Sequence, residues 1–173
     1  MLDYSEKRET GFDLIPEGTY EATAKCLGIT TKKRDDGSTF GSTFSFISLS
    51  WRIRDDIEQA CPGRVVFDDI HQDKNNPNQY NDRKIYDIIF GGQDQNDSKS
   101  RFKFEDYDDL CQHLNGMNCR IDVEINEYNG VKRNRIKFGG YHPSQARAQV
   151  LGAPVSPVAA SGGLEDLDDD VPF

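Results

Sequence analysis

The sequence lacks the features that mark metal centres, membrane proteins and exported proteins. No two of its four cysteines have the Cys-x-x-Cys spacing typical of a metal or redox site. No run approaches the 18 apolar residues of a membrane-spanning helix, and the first twenty residues are too charged for a signal peptide. We therefore expect a cytoplasmic protein, without membrane contact, whose cysteines are unpaired and packed as small apolar residues.

Motifs for catalysis are also missing. The three histidines are scattered along the chain, and there is no phosphate-binding glycine loop and no nucleophile elbow. Asp68, Asp69 and His71 form the one group that could resemble a metal site, but no further His or Cys stands at ligand spacing. We expect no enzymatic activity and no cofactor.

The composition is poor in apolar residues and rich in acids. Apolar residues make up 35% of the chain, below the globular average of roughly 45–50%, which indicates that part of the chain is not packed. The net charge is −9, and an acidic protein is a poor partner for nucleic acid unless its basic residues are clustered. Local clusters of Lys and Arg would therefore have to carry any such function.

The hydrophobic pattern predicts a mainly β domain. Residues 17–29, 40–54, 64–72, 117–130 and 131–141 alternate or are short apolar runs, as strands do. In the second strand Ile47, Leu49, Trp51 and Ile53 form the core face. Asn129-Gly130 predicts a type I′ hairpin turn, and residues 83–92 and 104–116 have helical spacing. Five strands with helical segments between the third and fourth predict an OB-fold barrel; a β-barrel of different topology is the alternative.

The chain divides into four predicted segments. Residues 1–16 form a polar arm, residues 17–143 the barrel domain, residues 144–163 a flexible linker rich in Ala, Pro, Val, Gly and Ser, and residues 164–173 an acidic tip. No internal repeat is visible.

Basic and aromatic residues recur where OB-folds bind oligonucleotides. Single-stranded nucleic acid needs cations for phosphates and flat rings for bases. The candidates come from the first inter-strand loop, one side of the second strand and the last strand: Lys32, Lys33, Arg34, Phe44, Phe46, Arg52, Arg54, Arg133, Arg135, Lys137 and Tyr141. Each group has a purely structural alternative: a solvated turn, rings covered by the arm or a helix, or ion pairs with Asp122 and Glu124.

The C-terminal sequence "DDDVPF" resembles the acidic tip of bacterial single-stranded-DNA-binding proteins. In that family the tip docks onto replication and repair proteins. The resemblance implies that Phe173 enters an apolar pocket of a partner while the acids face a basic rim. The residues that match are Asp168, Asp169, Asp170, Val171, Pro172 and Phe173.

The body resembles a different family. "LIPEGTYEATA", "SLSWRIRDD" and "EINEYNGVKRNRIKFGGY" are similar to segments of phage proteins long labelled as of unknown function, thought to be phage-encoded single-stranded-DNA-binding proteins with an OB-fold. The resemblance spans roughly residues 12–141 and implies sequence-nonspecific binding of single-stranded DNA during phage replication or recombination, in the host cytoplasm.

Two functions of different classes follow. The first is to coat and protect single-stranded DNA and to recruit replication and recombination proteins through the tip. In this function the tip would also compete with DNA for the protein's own basic groove. The alternative is an interaction module that binds only proteins. The sequence leaves the oligomeric state open, with a homo-oligomer among the options, and does not separate DNA from RNA.

Overall fold

A computed structural model of the chain describes residues 13–33 and 43–146. These residues form five strands and two helices, in the order β1 (Gly18–Lys33), β2 (Thr43–Ile53), β3 (Val65–His71), α1 (Asp82–Gly92), α2 (Tyr107–Leu114), β4 (Asn118–Tyr128) and β5 (Val131–Pro143). The prediction of a mainly β chain with helices between its third and fourth strands is confirmed.

The strands form one antiparallel sheet in the order β3-β2-β1-β4-β5. Strand pairing does not close this sheet, so β3 and β5 are its two edges. The edges nevertheless meet through side chains, because the Tyr141 hydroxyl on β5 donates a hydrogen bond to Asp68 on β3. Lys84 of α1 forms an ion pair with the same carboxylate.

The core lies on the face that the alternating pattern predicts. Ile47, Leu49, Trp51 and Ile53 of β2 are all buried, and the inward residues of the neighbouring strands oppose them through the registered pairs Ala22–Ile53, Ala24–Trp51 and Leu49–Asp68. Burying an aliphatic side chain of this size stabilises the fold by about 2 kcal/mol. The side of the sheet that carries these β2 residues is therefore the side that packs into the core.

Strand β1 is longer than predicted. Residues 30–33 were expected in a loop but continue β1, and Lys32 and Lys33 pair with Phe44 and Thr43 of β2. The β-branched residues 29–31 favour the extended backbone, and pairing with β2 satisfies their backbone hydrogen bonds. The register shifts between Cys26 and Gly28, so the outer half of β1 starts from a β-bulge.

The β4–β5 hairpin has the predicted turn but an unpredicted bulge. Asn129 and Gly130 both have positive φ, 51° and 75°, as a type I′ turn requires. Further along, Val123 pairs with Ile136 whereas Ile121 pairs with Tyr141, so residues 137–140 of β5 oppose a single residue of β4. We call residues 137–140 the β5 bulge. Simple alternation would put Phe138 on the same side of β5 as the buried Ile136, but the bulge turns Phe138 out into solvent.

Helix α1 packs against β5 and begins and ends where the sequence predicts. The side chain of Asn81 caps its first turn by accepting a hydrogen bond from the Lys84 amide, 3.1 Å away. At its C-terminal end, a Cβ on Gly91 would overlap the backbone carbonyl oxygen of Tyr141. The helix can therefore approach β5 this closely only because the residue is glycine.

The cysteines depart from the prediction that all four are unpaired. Cys26 of β1 and Cys111 of α2 form a disulfide, with their Cα atoms 5.4 Å apart, while Cys61 and Cys119 are free. The helix end is held on β1 in addition by the Cys26 amide, which donates to the Asn115 side chain at 2.8 Å. The pairing joins residues 85 positions apart, and no local spacing could indicate it.

Both outer ends of the described part lie against the sheet. Ile15 is buried, and its amide and carbonyl are both hydrogen-bonded to the side chain of Asn134, at 2.8 and 2.7 Å. At the other end, Ser144 donates to Glu21, and the carbonyl of Ala146 accepts from Arg54. Residues 13–16 and 144–146 therefore belong to the packed domain.

Candidate nucleic-acid interface

The side of β1, β2 and β3 that faces away from the core forms one continuous surface, which we call the outward face. Residues directly opposite each other on neighbouring strands share a face. The registered pairs therefore place the following side chains together: Thr23, Lys25, Thr30 and Lys32 from β1, Phe44, Phe46, Ser48, Ser50 and Arg52 from β2, and Val65, Phe67, Asp69 and His71 from β3.

An aromatic cluster occupies one end of this face. Phe46 lies 5.9 Å from Phe44, with the ring planes 28° apart, and 5.9 Å from His71. The Lys32 ammonium lies 5.1 Å from the centre of the Phe46 ring. These neighbours leave Phe46 only 5% exposed. Phe46 is therefore the packed base of the cluster, while the half-buried Phe44 and the exposed His71 form its outer surface.

Phe67 lies at the middle of the outward face and was not among the predicted site residues. Its ring is 69% exposed, because its partner across the strands is the small residue Ser50. An aromatic ring this exposed on a sheet gains little from packing and is open to contact with a ligand. Alternation along β3 could have found it, because Val66 and Ile70 face inward and Phe67 therefore faces outward.

Three cations accompany these rings. Lys25 and Lys32 come from β1, and Arg52 comes from β2. Arg52 forms an ion pair with Asp55 at 2.9 Å, but both side chains are well exposed, and such pairs contribute less than about 1 kcal/mol. A phosphate could therefore replace Asp55 at small cost. The acidic residue of the face is Asp69, which accepts a hydrogen bond from Ser48 at 3.2 Å.

Of the two predicted site residues that follow Lys32 in the sequence, Lys33 does not join this face. Lys33 is exposed but follows Lys32 directly in β1, so its side chain points to the opposite side of the sheet. Arg34 lies outside the described residues.

A groove of about 790 Å³ adjoins the aromatic cluster. It lies between the start of β2, the end of β3 and the loop that follows, and Phe44, His71, Lys74 and Asn75 line it. Gln72 holds the loop in place, since it accepts from the Ser45 amide at 2.8 Å and donates to the Pro77 carbonyl at 2.7 Å. The groove is large enough for a small organic ligand such as a nucleotide, and Lys74 adds a further cation beside it.

The basic residues of β5 lie apart from the outward face. Arg133, Arg135 and Lys137 are exposed, but β1 and β4 separate their strand from β2 in the sheet. Arg135 donates to Glu124 at 2.5 Å, as the structural alternative for this group predicts. Next to the turn, Tyr128 is 76% exposed. The hairpin is thus a second basic and aromatic surface, distinct from the first.

Two predicted site residues are buried. The side chain of Arg54 is 3% exposed and bonds Asp56 through two nitrogens, at 2.8 and 2.6 Å; these hydrogen bonds raise the pKa of Arg54. Tyr141 contacts Trp51, with ring centres 5.7 Å apart, and burial together with Asp68 raises its pKa. Both residues are bonded within the domain, so we leave them out of the interface.

The candidate metal site is not assembled. Asp69 and His71 belong to the outward face, whereas Asp68 points the other way and is bonded to Lys84 and Tyr141. Within residues 13–33 and 43–146, no group of three or more His, Cys, Asp or Glu side chains could hold a metal ion. Over the same residues, no helix has the length and apolar character needed to cross a bilayer.

The predicted tip residues, Asp168, Asp169, Asp170, Val171, Pro172 and Phe173, lie outside the described part of the chain. No protein-family model matches the sequence, and no curated protein matches it either. Function is therefore inferred from the residues and their geometry.

Proposed function

We propose that this chain is a non-catalytic protein that binds single-stranded DNA, without sequence preference, on the outward face of β1, β2 and β3. One observation carries the proposal: the exposed ring of Phe67 and the Phe44–Phe46–His71 cluster share a face with Lys25, Lys32 and Arg52. Rings that stack on bases and cations that follow the backbone are the two components of such sites.

The topology supports this choice of face. The strand order β3-β2-β1-β4-β5, with the helices between β3 and β4, is the order of an OB-fold barrel opened between β3 and β5. The hydrogen bond from Tyr141 to Asp68 spans the two strands that would close such a barrel. We propose that the domain is an OB-fold, a fold that binds oligonucleotides on the face of its second and third strands. That is the surface on which the rings lie.

The acidic net charge is compatible with this function. Of the three cations of the outward face, Arg52 is paired with the exposed Asp55, and the acidic residue of the face itself, Asp69, accepts a hydrogen bond from Ser48. Many of the acids lie elsewhere: Asp94 and Asp97 follow α1, and Asp106, Asp108 and Asp109 belong to the start of α2. A protein can thus present a positive surface to DNA while its net charge is −9.

The tip completes the proposal. Residues 164–173 combine five acids with a terminal Val-Pro-Phe, a composition that suits a short peptide ligand better than a solvating tail. With the likeness to phage and bacterial single-stranded-DNA-binding proteins, this favours a role in phage replication or recombination, in which the tip recruits partner proteins.

The decisive experiment compares two exposed phenylalanines. Fluorescence anisotropy of a labelled oligo-dT should show binding by the wild type that weakens steeply with salt. Phe67→Ala should weaken it about 5- to 150-fold, since stacking contributes roughly 1–3 kcal/mol per base. Phe138→Ala, which removes an equally exposed ring from the β5 bulge, is the matched control and should bind as the wild type does.

Two results would count against the proposal. If the wild type does not bind oligo-dT even at low salt, the alternative of a module that binds only proteins is favoured, in keeping with the acidic net charge. If Phe67→Ala and Phe138→Ala bind equally well, DNA binds elsewhere, and the hairpin with Tyr128 and Arg133 becomes the next surface to test.

A further inference from the structure

Helix α1 carries aromatic rings on the side that faces away from the core. The outer side of such a helix is normally charged or polar, but here Tyr86 is 58% exposed and Phe90 is 38% exposed. Their rings stack 4.3 Å apart with the planes at 22°, and the Phe102 ring lies 4.9 Å beyond Phe90. Arg83 precedes Tyr86 by three positions and shares its side of the helix. We call Arg83, Tyr86 and Phe90 the α1 stripe.

The aromatic surface continues from the stripe to the β5 bulge. A small cleft separates α1 from this bulge, and the Arg83 guanidinium lies 4.9 Å from the centre of the Phe138 ring, which is 73% exposed. Tyr86, Phe90 and Phe138 together expose roughly 340 Å² of aromatic surface, taking about 200 Å² for each side chain. Exposed patches of this size on a folded domain often mark a site of interaction.

The charges of the helix suit a protein partner better than a nucleic acid. The exposed side of α1 combines the cation Arg83 with two acids at its margins, Asp82 and the half-buried Asp87. Lys84 is already paired with Asp68. A phosphate backbone requires an excess of cations, which this side does not offer, and its two rings already stack on each other. Aromatic residues and arginine with few other charges are instead typical of the centre of protein interfaces.

The order of residues along the stripe is complementary to itself. In an interface with twofold symmetry, each contact between two residues occurs twice, once in each direction. If two α1 helices pack antiparallel with the axis between positions 86 and 87, Arg83 of each copy lies opposite Phe90 of the other. This pairing of a cation with a ring is favourable. The two Tyr86 side chains meet beside the axis, and each hydroxyl comes within reach of Asp87 of the other copy. The stripe therefore matches a second copy of the same stripe.

We propose that two copies of this chain form a dimer through the α1 stripe, with the two helices antiparallel and the axis beside Tyr86. The aromatic area of roughly 340 Å² per copy is below the 800 Å² per partner of a standard interface. The dimer is therefore a weak one, and its population rises with protein concentration. The sequence leaves the oligomeric state open, and the exposed side of α1 supplies a surface for it.

This dimer leaves the outward face uncovered. Lys84 of α1 binds Asp68, whose side chain points away from the outward face, so α1 lies on the core side of the sheet. Two copies joined through α1 therefore present two outward faces on one particle. The proposal concerns α1 alone and does not depend on DNA binding.

Cysteine cross-linking tests the antiparallel geometry. In a Cys61→Ser background, which removes a free thiol that is not buried, Tyr86→Cys should form a covalent dimer with oxidised glutathione. An equimolar mixture of Arg83→Cys and Phe90→Cys proteins should also cross-link. Phe90→Cys alone should not, because the two positions 90 lie about 10 Å apart along the helices. If Phe90→Cys alone cross-links as fast as the mixture, the helices are not antiparallel about this axis and the proposed geometry is wrong.

Sedimentation velocity of the full-length chain without DNA tests the surface. Between about 5 and 200 µM the wild type should shift from its chain mass of 19.6 kDa toward twice that mass. Tyr86→Glu should weaken dimerisation at least tenfold, because it places two like charges beside the axis. Arg83→Glu, at a second exposed position, should weaken it to a similar degree. Tyr128→Glu, which changes an exposed tyrosine of the β4–β5 hairpin, is the matched control and should dimerise as the wild type does.

Three results would overturn the proposal. The first is a wild type that stays monomeric up to 200 µM, and the second is a dimer that Tyr86→Glu and Tyr128→Glu affect equally. The third is a loss of affinity for oligo-dT in Tyr86→Glu at concentrations where the wild type is monomeric, which would show that the stripe binds DNA instead. Since the mass is measured without DNA, failure of the DNA assay with Phe67→Ala would leave the dimer unaffected.

Discussion

Tyr141 on β5 donates its phenolic hydrogen to Asp68 on β3, and this bond joins the two edges of an otherwise open sheet. Lys84 of α1 binds the same carboxylate. One acidic side chain thus connects β3, β5 and α1 at the place where strand pairing stops. The first prediction concerns this contact.

Tyr141→Phe should destabilise the fold. The substitution keeps the ring against Trp51 but removes a hydrogen bond to a charged acceptor, for which a loss of about 1–3 kcal/mol is typical. Urea denaturation measures the change. Tyr128→Phe, at an exposed position, is the control and should match the wild type. Equal stability of the two variants would mean that the sheet edges are held together without the Tyr141 hydroxyl.

Alkaline pH should destabilise the domain through Cys119. Burial raises the pKa of this thiol from 9.0 to about 12. Between these values the unfolded chain has lost the proton while the folded chain retains it, so stability falls as the pH rises through this window. In denaturation curves at pH 8, 9, 10 and 11, Cys119→Ala should lose stability less steeply than the wild type, whereas the control Cys61→Ala should follow the wild type. Parallel slopes for all three proteins would contradict this prediction.

Adjacent lysines of β1 should differ in their effect on DNA. Lys32 lies on the outward face and Lys33 on the opposite side of the strand. If Lys32 contacts a phosphate, Lys32→Gln should lower affinity for oligo-dT and reduce the slope of log K against log salt by about 0.7. Lys33→Gln should change neither quantity. Anisotropy titrations between 50 and 300 mM salt measure both, and identical slopes for the two variants would argue against the outward face.

Reduction of the Cys26–Cys111 disulfide should lower stability. Its loop of 85 residues predicts a loss of about 4.5 kcal/mol in the chain-entropy description. Urea denaturation with and without a thiol reductant measures this loss. Cys111→Ser should be as much less stable than the oxidised wild type as the reduced wild type is, and its stability should not respond to the reductant. Cys61→Ser should behave as the wild type. A wild-type curve that does not respond to complete reduction, verified by thiol counting, would contradict the expected contribution.

Two arginines near the end of β2 should have separate roles. Arg54 is buried and bonded to Asp56 and to the carbonyl of Ala146. Arg54→Met should therefore cost about 1–3 kcal/mol of stability, because it leaves these acceptors without their donor. Arg52→Met should leave stability nearly unchanged and weaken DNA binding. Thermal denaturation and anisotropy of both variants test the separation, and the reverse pattern would exclude Arg52 from the interface.

Several parts of the fold were predictable because they depend on local physics. The apolar residues at alternate positions of β2, from Ile47 to Ile53, are all buried in the folded chain. Asn129-Gly130 forms the type I′ turn because these two residues adopt positive φ readily. Helix α1 begins at an Asn cap and ends at Gly91-Gly92, both of which are local signals.

The candidate site was harder to predict, since it depends on register. Phe44, Phe46, Arg52 and Lys32 were identified from the sequence, and β-sheet pairing brings them onto one face with Phe67, Lys25 and His71, which were not. Arg54 lies two positions after Arg52 and would share its face if β2 continued. The strand ends at Ile53, however, and the side chain of Arg54 turns inward. Alternation cannot anticipate the end of a strand.

The sequence alone thus determined the number and order of the strands, the buried side of the central one and the chemistry of the tip. Tertiary structure decided the Cys26–Cys111 pairing, the outward position of Phe138 and the cleft beside it, and the meeting of Tyr141 with Asp68. These features depend on contacts between residues far apart in the chain. Local propensity acts over a few residues. A bulge, a disulfide or a strand edge is determined instead by the residues that the fold brings next to it from distant parts of the chain.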